Sequence, residues 1–253
     1  MPFGFVEIIA AGHAGSDPLQ DELALLELAA QGRHVAQLWE APLSLVVPRT
    51  YLRHAALETA RADFARQGCP VFLRMSGGGL VPQGPGILNL SLAYPVGQPP
   101  GALSDAVYLH LCAVIAGALC PLGIETHWQA VAGSFCDGRY NLAWGPPEAA
   151  RKIAGTAQYW RRAPAAMQAA DGQRHLVLAH AVLLVNADPQ LINARANAFE
   201  AAIGSERRYD ASKVVSVREA LLACGRAAPD DAALMAEVSD ALRWSLGQHP
   251  APA

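Results

Sequence analysis

The chain is short of charge, of lysine and of aromatic side chains, and it lacks any paired-cysteine motif. Charged residues make up 16% of the 253 positions and the net charge is −3, with a pI near 6.2. A nucleic-acid binder normally carries a basic stripe, so nucleic acid is not an expected partner. Five cysteines stand at positions 69, 112, 120, 136 and 224 without a CxxC pair. No His, Cys or Asp cluster has the spacing of a metal site, so no metal is expected. The odd cysteine count fits a reducing compartment, here the cytoplasm. The longest apolar runs, 111–121 and 176–185, fall short of a bilayer span. Residues 1–16 contain Glu7 and no basic start, so neither a signal peptide nor a membrane partner is expected.

What the chain does have is hydrophobic mass. With 52% hydrophobic residues, 22 Gly and 18 Pro, it has the composition of a folded, loop-bearing protein. Apolar residues at 19, 23, 26 and 30 predict a helix over 19–31 that Asp17 would cap. Extended runs at 35–39 and 43–47 flank Ala41-Pro42, a hairpin-like break. A helix over 51–66 ends at Gly68, then a strand at 70–75, a loop over 76–86 and a second strand at 87–94. A long apolar helix is predicted at 102–122 and strands at 124–129, 140–144, 152–160 and 175–185. Helices follow at 189–203, 217–224 and 232–246, with a polar segment at 204–212. This interleaving has no steady βαβ rhythm, so an α+β fold is expected, a mixed β-sheet flanked by helices.

Three segments carry potential chemistry. In Arg74-Met75-Ser76-Gly77-Gly78-Gly79 a strand runs into three glycines, whose N–H groups could form a nest for an anion or carbonyl. A flexible surface turn is the plain alternative. No GK[ST] follows, and prolines at 82 and 85 forbid the helix of a dinucleotide fingerprint. Lys152 leads a strand of small residues; burial would depress its pKa and suit it to bind a carbonyl, whereas most lysines are solvated. Its weight comes from scarcity, because Lys213 is the one other lysine. Cys136 lies in a Gly- and Asp-flanked turn, expected to be more exposed than the other four cysteines, which read as small buried hydrophobes. His180, inside an apolar strand, reads as a hydrogen-bonded core histidine.

Taken in order, these segments resemble the lipoate-protein ligase and octanoyltransferase family. Leu38-Trp39-Glu40 is similar to its "LWE" strand, Val46-Val47-Pro48-Arg49 to "VVGR", and 74–79 to "RxSGGG". Gly86 with Asn89 and the strand behind it resembles "G-x-LN-x-S". Residues 152–158 resemble "K-[IL]-[AS]-G-[ST]-A-Q", and 180–188 the "HG-[ST]-LLLNAD" strand. Ser134-Phe135-Cys136-x-Gly138-x-Tyr140-x-Leu142 is similar to the "SFC-x-G-x-Y-x-L" of the cysteine-dependent branch, which takes octanoate from the glycine-cleavage H protein. Two positions depart from the pattern. Residues 145–151 are inserted before Lys152, and Ala181 stands where the family has glycine.

The resemblance implies a fold shared with biotin-protein ligase catalytic domains. It implies a catalytic domain over 1–205 with a short helical C-terminal appendage over 206–253, acting as a monomer. Cys136 and Lys152 would be catalytic. Arg74, Ser76, Gly77, Gly78, Gly79, Asn89, Gly155, Thr156, Gln158 and His180 would bind substrate. The implied reaction passes an octanoyl or lipoyl group to a lysine of a lipoyl-carrier protein, either the glycine-cleavage H protein or a lipoyl domain of a 2-oxoacid dehydrogenase. With a Cys136 thioester it requires no cofactor. Two alternatives stay open: an ATP-dependent ligase using ATP, Mg2+ and lipoate through an adenylate, and a binder that kept the fold without the reaction.

Overall fold

A computed structural model describes residues 7–9, 18–167 and 174–252. Asp17, the expected cap of the first helix, and most of the 1–16 segment lie outside the described residues. The strands are β1 (Glu7–Ile9), β2 (Val35–Trp39), β3 (Ser44–Pro48), β4 (Val71–Arg74), β5 (Val81–Gln83), β6 (Ile87–Val96), β7 (Thr126–Trp128), β8 (Leu142–Trp144), β9 (Arg151–Arg162) and β10 (His175–Leu184). The helices are α1 (Pro18–Ala29), α2 (Leu57–Arg66), α3 (Pro100–Leu119), α4 (Pro189–Ala202), α5 (Val217–Ala223) and α6 (Asp231–Gln248).

Two sheets form. The larger has the order β1-β2-β6-β10-β9-β8-β7 and the smaller β4-β3-β5. Only β1 with β2 and β3 with β4 run parallel. The architecture is the mixed sheet flanked by helices that the sequence predicted. β6 and β10 sit at the centre and are apolar along nearly their whole length, as strands covered on both faces must be. On one face α3, α5 and α6 pack through Val107, Leu111, Ile115, Leu221, Val238 and Leu242. On the other, α1 covers one end of the sheet through Leu25, Leu26 and Ala29. The small sheet has its own core against α2 and α4, where Phe64 meets Phe199 edge-on.

Several local expectations are corrected. β2 and β3 do not form a hairpin; Ala41-Pro42 carries the chain from one sheet to the other. The 76–86 loop contains β5, which pairs with β3. Residues 49–53 form a 3-10 turn, and α2 begins only at Leu57. The buried stripe of α1 is Glu22, Leu25, Leu26 and Ala29, rotated from the predicted 19, 23, 26 and 30. Cys120 and Cys224 are exposed rather than buried. The run at 111–121 is part of a longer helix, and Pro100–Leu122 is long and apolar enough by itself to cross a membrane. Here that helix lies between the large sheet and α6. Within the described part of the 206–253 segment, α5 and α6 carry side chains that belong to the main core, among them Val217, Leu221, Val238 and Leu242.

Gly86 locks the turn into β6 against the end of β10. It adopts φ +81°, and its carbonyl accepts the N–H groups of Val185, Asn186 and Ala187. A Cβ there would lie 2.5 Å from the Ala187 nitrogen. Gly86→Ala should therefore lower the unfolding free energy by about 2 kcal/mol or more, because strain and overlap add. Urea denaturation should show a lower midpoint at unchanged slope.

Candidate active site

The site is built on strand register. Side chains two apart on a strand share a face, so aligned strands present rows of side chains across the sheet. One row runs Gln37, Ser91, His180 and Ala157 across β2, β6, β10 and β9; the next runs Trp39, Asn89, Val182 and Gly155. All eight residues line one pocket, roofed by Val46 of β3, Val81 and Gln83 of β5, and Leu25 of α1. Beyond the first row, Val35, Ala93 and Leu178 close the floor under α1. At the other end stand Arg74, Ser76, Cys136 and Lys152.

Lys152 is buried to 1% exposure. Its ammonium donates to the carbonyls of Phe135 at 2.6 Å and Cys136 at 3.1 Å and lies 4.4 Å from the Phe135 ring centre. Burial pulls its pKa down from 10.5 to about 8, against the pull of Cys136 and Asp137. The inserted 145–151 segment folds into a 3-10 turn at Pro147–Ala149 and leaves Lys152 on β9. Gly155 has a spatial role, since a Cβ there would lie 2.8 Å from Lys152 Nζ.

Cys136 sits in a tight turn with φ 45°, and its thiol is less exposed than the sequence suggested. Asp137 shapes that turn by accepting the Val131 N–H and the Asn141 amide. The Cys136 Sγ accepts the Gly79 N–H at 3.3 Å and lies 3.9 Å from Arg74 Nη2. Burial raises the thiol pKa, but Lys152, Arg74 and the Gly79 N–H outweigh it and hold the pKa below the ordinary thiol value. The nest expected of the glycine loop thus faces a sulfur. Gly78, at φ 106°, makes room for it, because a Cβ would meet Sγ at 2.7 Å. Arg74 holds the loop by donating to the carbonyls of Val46, Gly77 and Gly79. The Ser76 hydroxyl is buried in the pocket wall with no protein partner.

The remaining candidates divide. Asn89 lines the pocket and exchanges two hydrogen bonds with the Gln83 amide, at 2.8 and 2.9 Å. The Thr156 hydroxyl donates to the Tyr140 carbonyl. Gln158 lies one residue out of phase with Gly155 and Ala157 and donates to Ser104 of α3, so the structure does not bring it into the pocket. His180 is no inert core histidine. Its Nδ1 lies 2.9 Å from Ser91 Oγ, which accepts from Trp39 Nε1, and its Nε2 lies 3.3 Å from the Glu22 carboxylate. Burial pushes the Glu22 pKa up, but His180, the Met75 N–H and Arg74 hold it below the usual carboxylate value. Sequence reasoning missed Glu22, whose signal is a carboxylate one turn before Leu25 and Leu26. It also missed Ser91, which only strand register reveals.

The sequence matches the model of the lipoyl protein ligase A/B catalytic domain over residues 18–241. It is 85% identical, over the full length of both chains, to an uncharacterised protein of Cupriavidus necator. It is 32% identical to an octanoyl-[GcvH]:protein N-octanoyltransferase of Kyrpidia tusciae, over 90% of this chain and 75% of that one. The fold is similar to that of a lipoate-protein ligase A bound with ATP, with 15% identity, a TM-score of 0.63, and 97% of this chain and 85% of that one covered.

The electrostatics can be tested without a substrate. Iodoacetamide labelling across pH, read by peptide mass spectrometry, should show Cys136 reacting with a midpoint below the ordinary thiol value. Lys152→Met should raise the Cys136 midpoint. An unchanged midpoint in that variant would remove Lys152 from the account of the thiol.

Proposed function

We propose that this chain, which belongs to the lipoyl protein ligase A/B catalytic-domain family, transfers an octanoyl or lipoyl group between lysines of lipoyl-carrier proteins through a thioester on Cys136. The observation that carries this reading is the Cys136 sulfur, bonded by the Gly79 N–H and flanked by two buried cations at the end of an apolar pocket. The kinship with an enzyme acting on the octanoylated glycine-cleavage H protein supports the carrier class. A free reactive thiol suits a reducing compartment, and the reaction is assigned to the cytoplasm.

The chemistry follows from the residues. The pocket holds the acyl chain, whose burial contributes about 0.8 kcal/mol per CH₂. The Cys136 thiolate attacks the carbonyl carbon of the donor acyl-lysine. The C–N bond breaks, and the leaving amine takes up a proton as the thioester forms. The amine of the acceptor lysine then attacks the thioester; the C–S bond breaks, the thiolate returns, and the acceptor releases the proton that balances the first step. Splitting the transfer in this way replaces one difficult displacement with two easier ones. An ammonium has three N–H groups and Lys152 gives two to carbonyls, which leaves one for the developing oxyanion.

No nucleotide is required on this reading. Arg74 spends Nη1 on the Val46 carbonyl of β3 and Nη2 on the Gly77 and Gly79 carbonyls of the loop, which supports a holding role for it rather than a phosphate-binding one.

Incubation with octanoylated glycine-cleavage H protein and no ATP, followed by intact mass spectrometry, should show one hydroxylamine-labile octanoyl group on the wild type. Cys136→Ser should gain none that labile. Transfer that needs ATP and survives Cys136→Ala would overturn the thioester route.

Lys152→Ala should slow acyl loading by on the order of 10²–10³, as for loss of an oxyanion donor. Arginine should restore little, because a planar fork does not fit where a compact ammonium sat. The pH profile of loading should be a bell. The rate rises as the thiolate forms and falls as Lys152 loses its proton around pH 8, given its pKa of about 8. In Lys152→Ala that alkaline limb should be gone.

A further inference from the structure

The polar segment after α4 has features that acyl transfer within the pocket does not use. Residues 204–210 run from the end of α4 to the cysteine turn, where the Asp210 N–H donates to the Gly133 carbonyl at 2.8 Å. Asn197 of α4 fixes Tyr209 by bonding both its carbonyl and its N–H. Beneath lies Glu200, fully buried, whose carboxylate accepts the hydroxyls of Tyr51 and Tyr209, each at 2.6 Å. The Tyr51 hydroxyl in turn accepts from Arg207 Nη1 at 3.1 Å, and the Arg207 guanidinium lies 5.7 Å from the Tyr51 ring centre. A Cβ built on Gly79 would lie 3.3 Å from Arg207 Nη1. The buried carboxylate and the two tyrosines therefore hold an arginine beside the loop that bonds the Cys136 sulfur.

Arg207 is not alone. Arg208 follows it, and Arg49 and Arg53 begin and end the 3-10 turn that carries Tyr51. All four are exposed. Among the described residues none of them has a carboxylate within ion-pair distance. The 204–210 segment also carries Glu206 and Asp210, and the Asp210 carboxylate is engaged by the Ser212 N–H. Positive charge without an ion-pair partner thus stands at Arg207 beside the glycine loop and continues onto Arg208 and the turn that Tyr51 joins to it, in a chain whose net charge is −3.

We propose that this arginine cluster is a docking surface for an acidic protein, taking carboxylates that flank the acyl-bearing lysine and so delivering that lysine to Cys136. The inference rests on the acyl-transfer reading for its substrate. A carboxylate matches the guanidinium fork, and a partner carrying several carboxylates can engage exposed arginines on both of these adjoining segments. Charges at a rim act chiefly on encounter and register, so the patch affects KM more than the chemical step.

The test compares two fluorescein-labelled peptides carrying octanoyl-lysine, one flanked by glutamates and one by the nearly isosteric glutamines. The full-length wild type should load Cys136 from the glutamate peptide with a KM about tenfold lower at low salt, and the two values should converge at high salt. The preference should disappear in an Arg207→Gln/Arg208→Gln variant and weaken in Arg53→Gln, which removes no bond from the Tyr51–Glu200 cluster. Equal KM values in the wild type, or a preference that survives the double variant, would overturn the proposal. So would a double variant that keeps the peptide preference but loses affinity for ATP, which would make the cluster a phosphate site. If neither peptide loads Cys136, the acyl-transfer reading fails, and anisotropy binding of the same two peptides still decides whether the surface selects acidic partners.

Discussion

A lysine ammonium buried with no carboxylate in ion-pair contact is the constraint around which this site is arranged. Moving Lys152 from its ordinary pKa of 10.5 to about 8 corresponds to about 3 kcal/mol against the charged form. That penalty is tolerable only because two carbonyls and an aromatic face meet the charge. The two carbonyls belong to Phe135 and Cys136, so satisfying the lysine fixes the turn that presents the thiol. The Lys152 carbonyl also accepts the Val215 N–H, which ties the C-terminal helices to the same strand. The attraction runs both ways, since the ammonium favours the Cys136 thiolate.

The glycines around this pair are explained by space more than by flexibility. Gly155 clears room for the ammonium, and Gly78 for the sulfur. Gly79 supplies the N–H that the sulfur accepts. Three elements distant in sequence, the β4 loop, the cysteine turn and β9, therefore meet at Cys136, whose sulfur accepts from Gly79 and whose carbonyl accepts from Lys152. Arg74 prevents the loop from drifting by bonding a carbonyl of β3 and two of the loop itself.

The pocket floor obeys a different rule. Its two rows come from the alternation of four neighbouring strands, so its polar end is decided by which residues fall in phase. His180, Ser91 and Gln37 fall in one row, and Glu22 reaches the histidine from the helix above. His180 bonds Ser91 and lies against the Glu22 carboxylate, so polar groups that partner one another sit in an otherwise apolar cavity.

Much of this was legible in the chain alone. Hydrophobic periodicity located the central strands and long helices, because it reflects local geometry that every strand and helix must obey. The Arg-x-Ser-Gly-Gly-Gly, Ser-Phe-Cys and Lys-x-x-Gly segments marked the reacting end, because each is compact enough to be read as a string. What the string could not carry was pairing between distant segments. Whether 35–39 and 43–47 formed a hairpin or parted into two sheets depended on which partners were available to each, and β1 and β6 took the first while β4 and β5 took the second. The phase of Gln158, the turn of α1 that buries Glu22, and the arginine held by Glu200 were set the same way. Local sequence determined which chemical groups this protein has. Burial and strand register, which are properties of the whole packed chain, decided which of those groups face one another and at what charge.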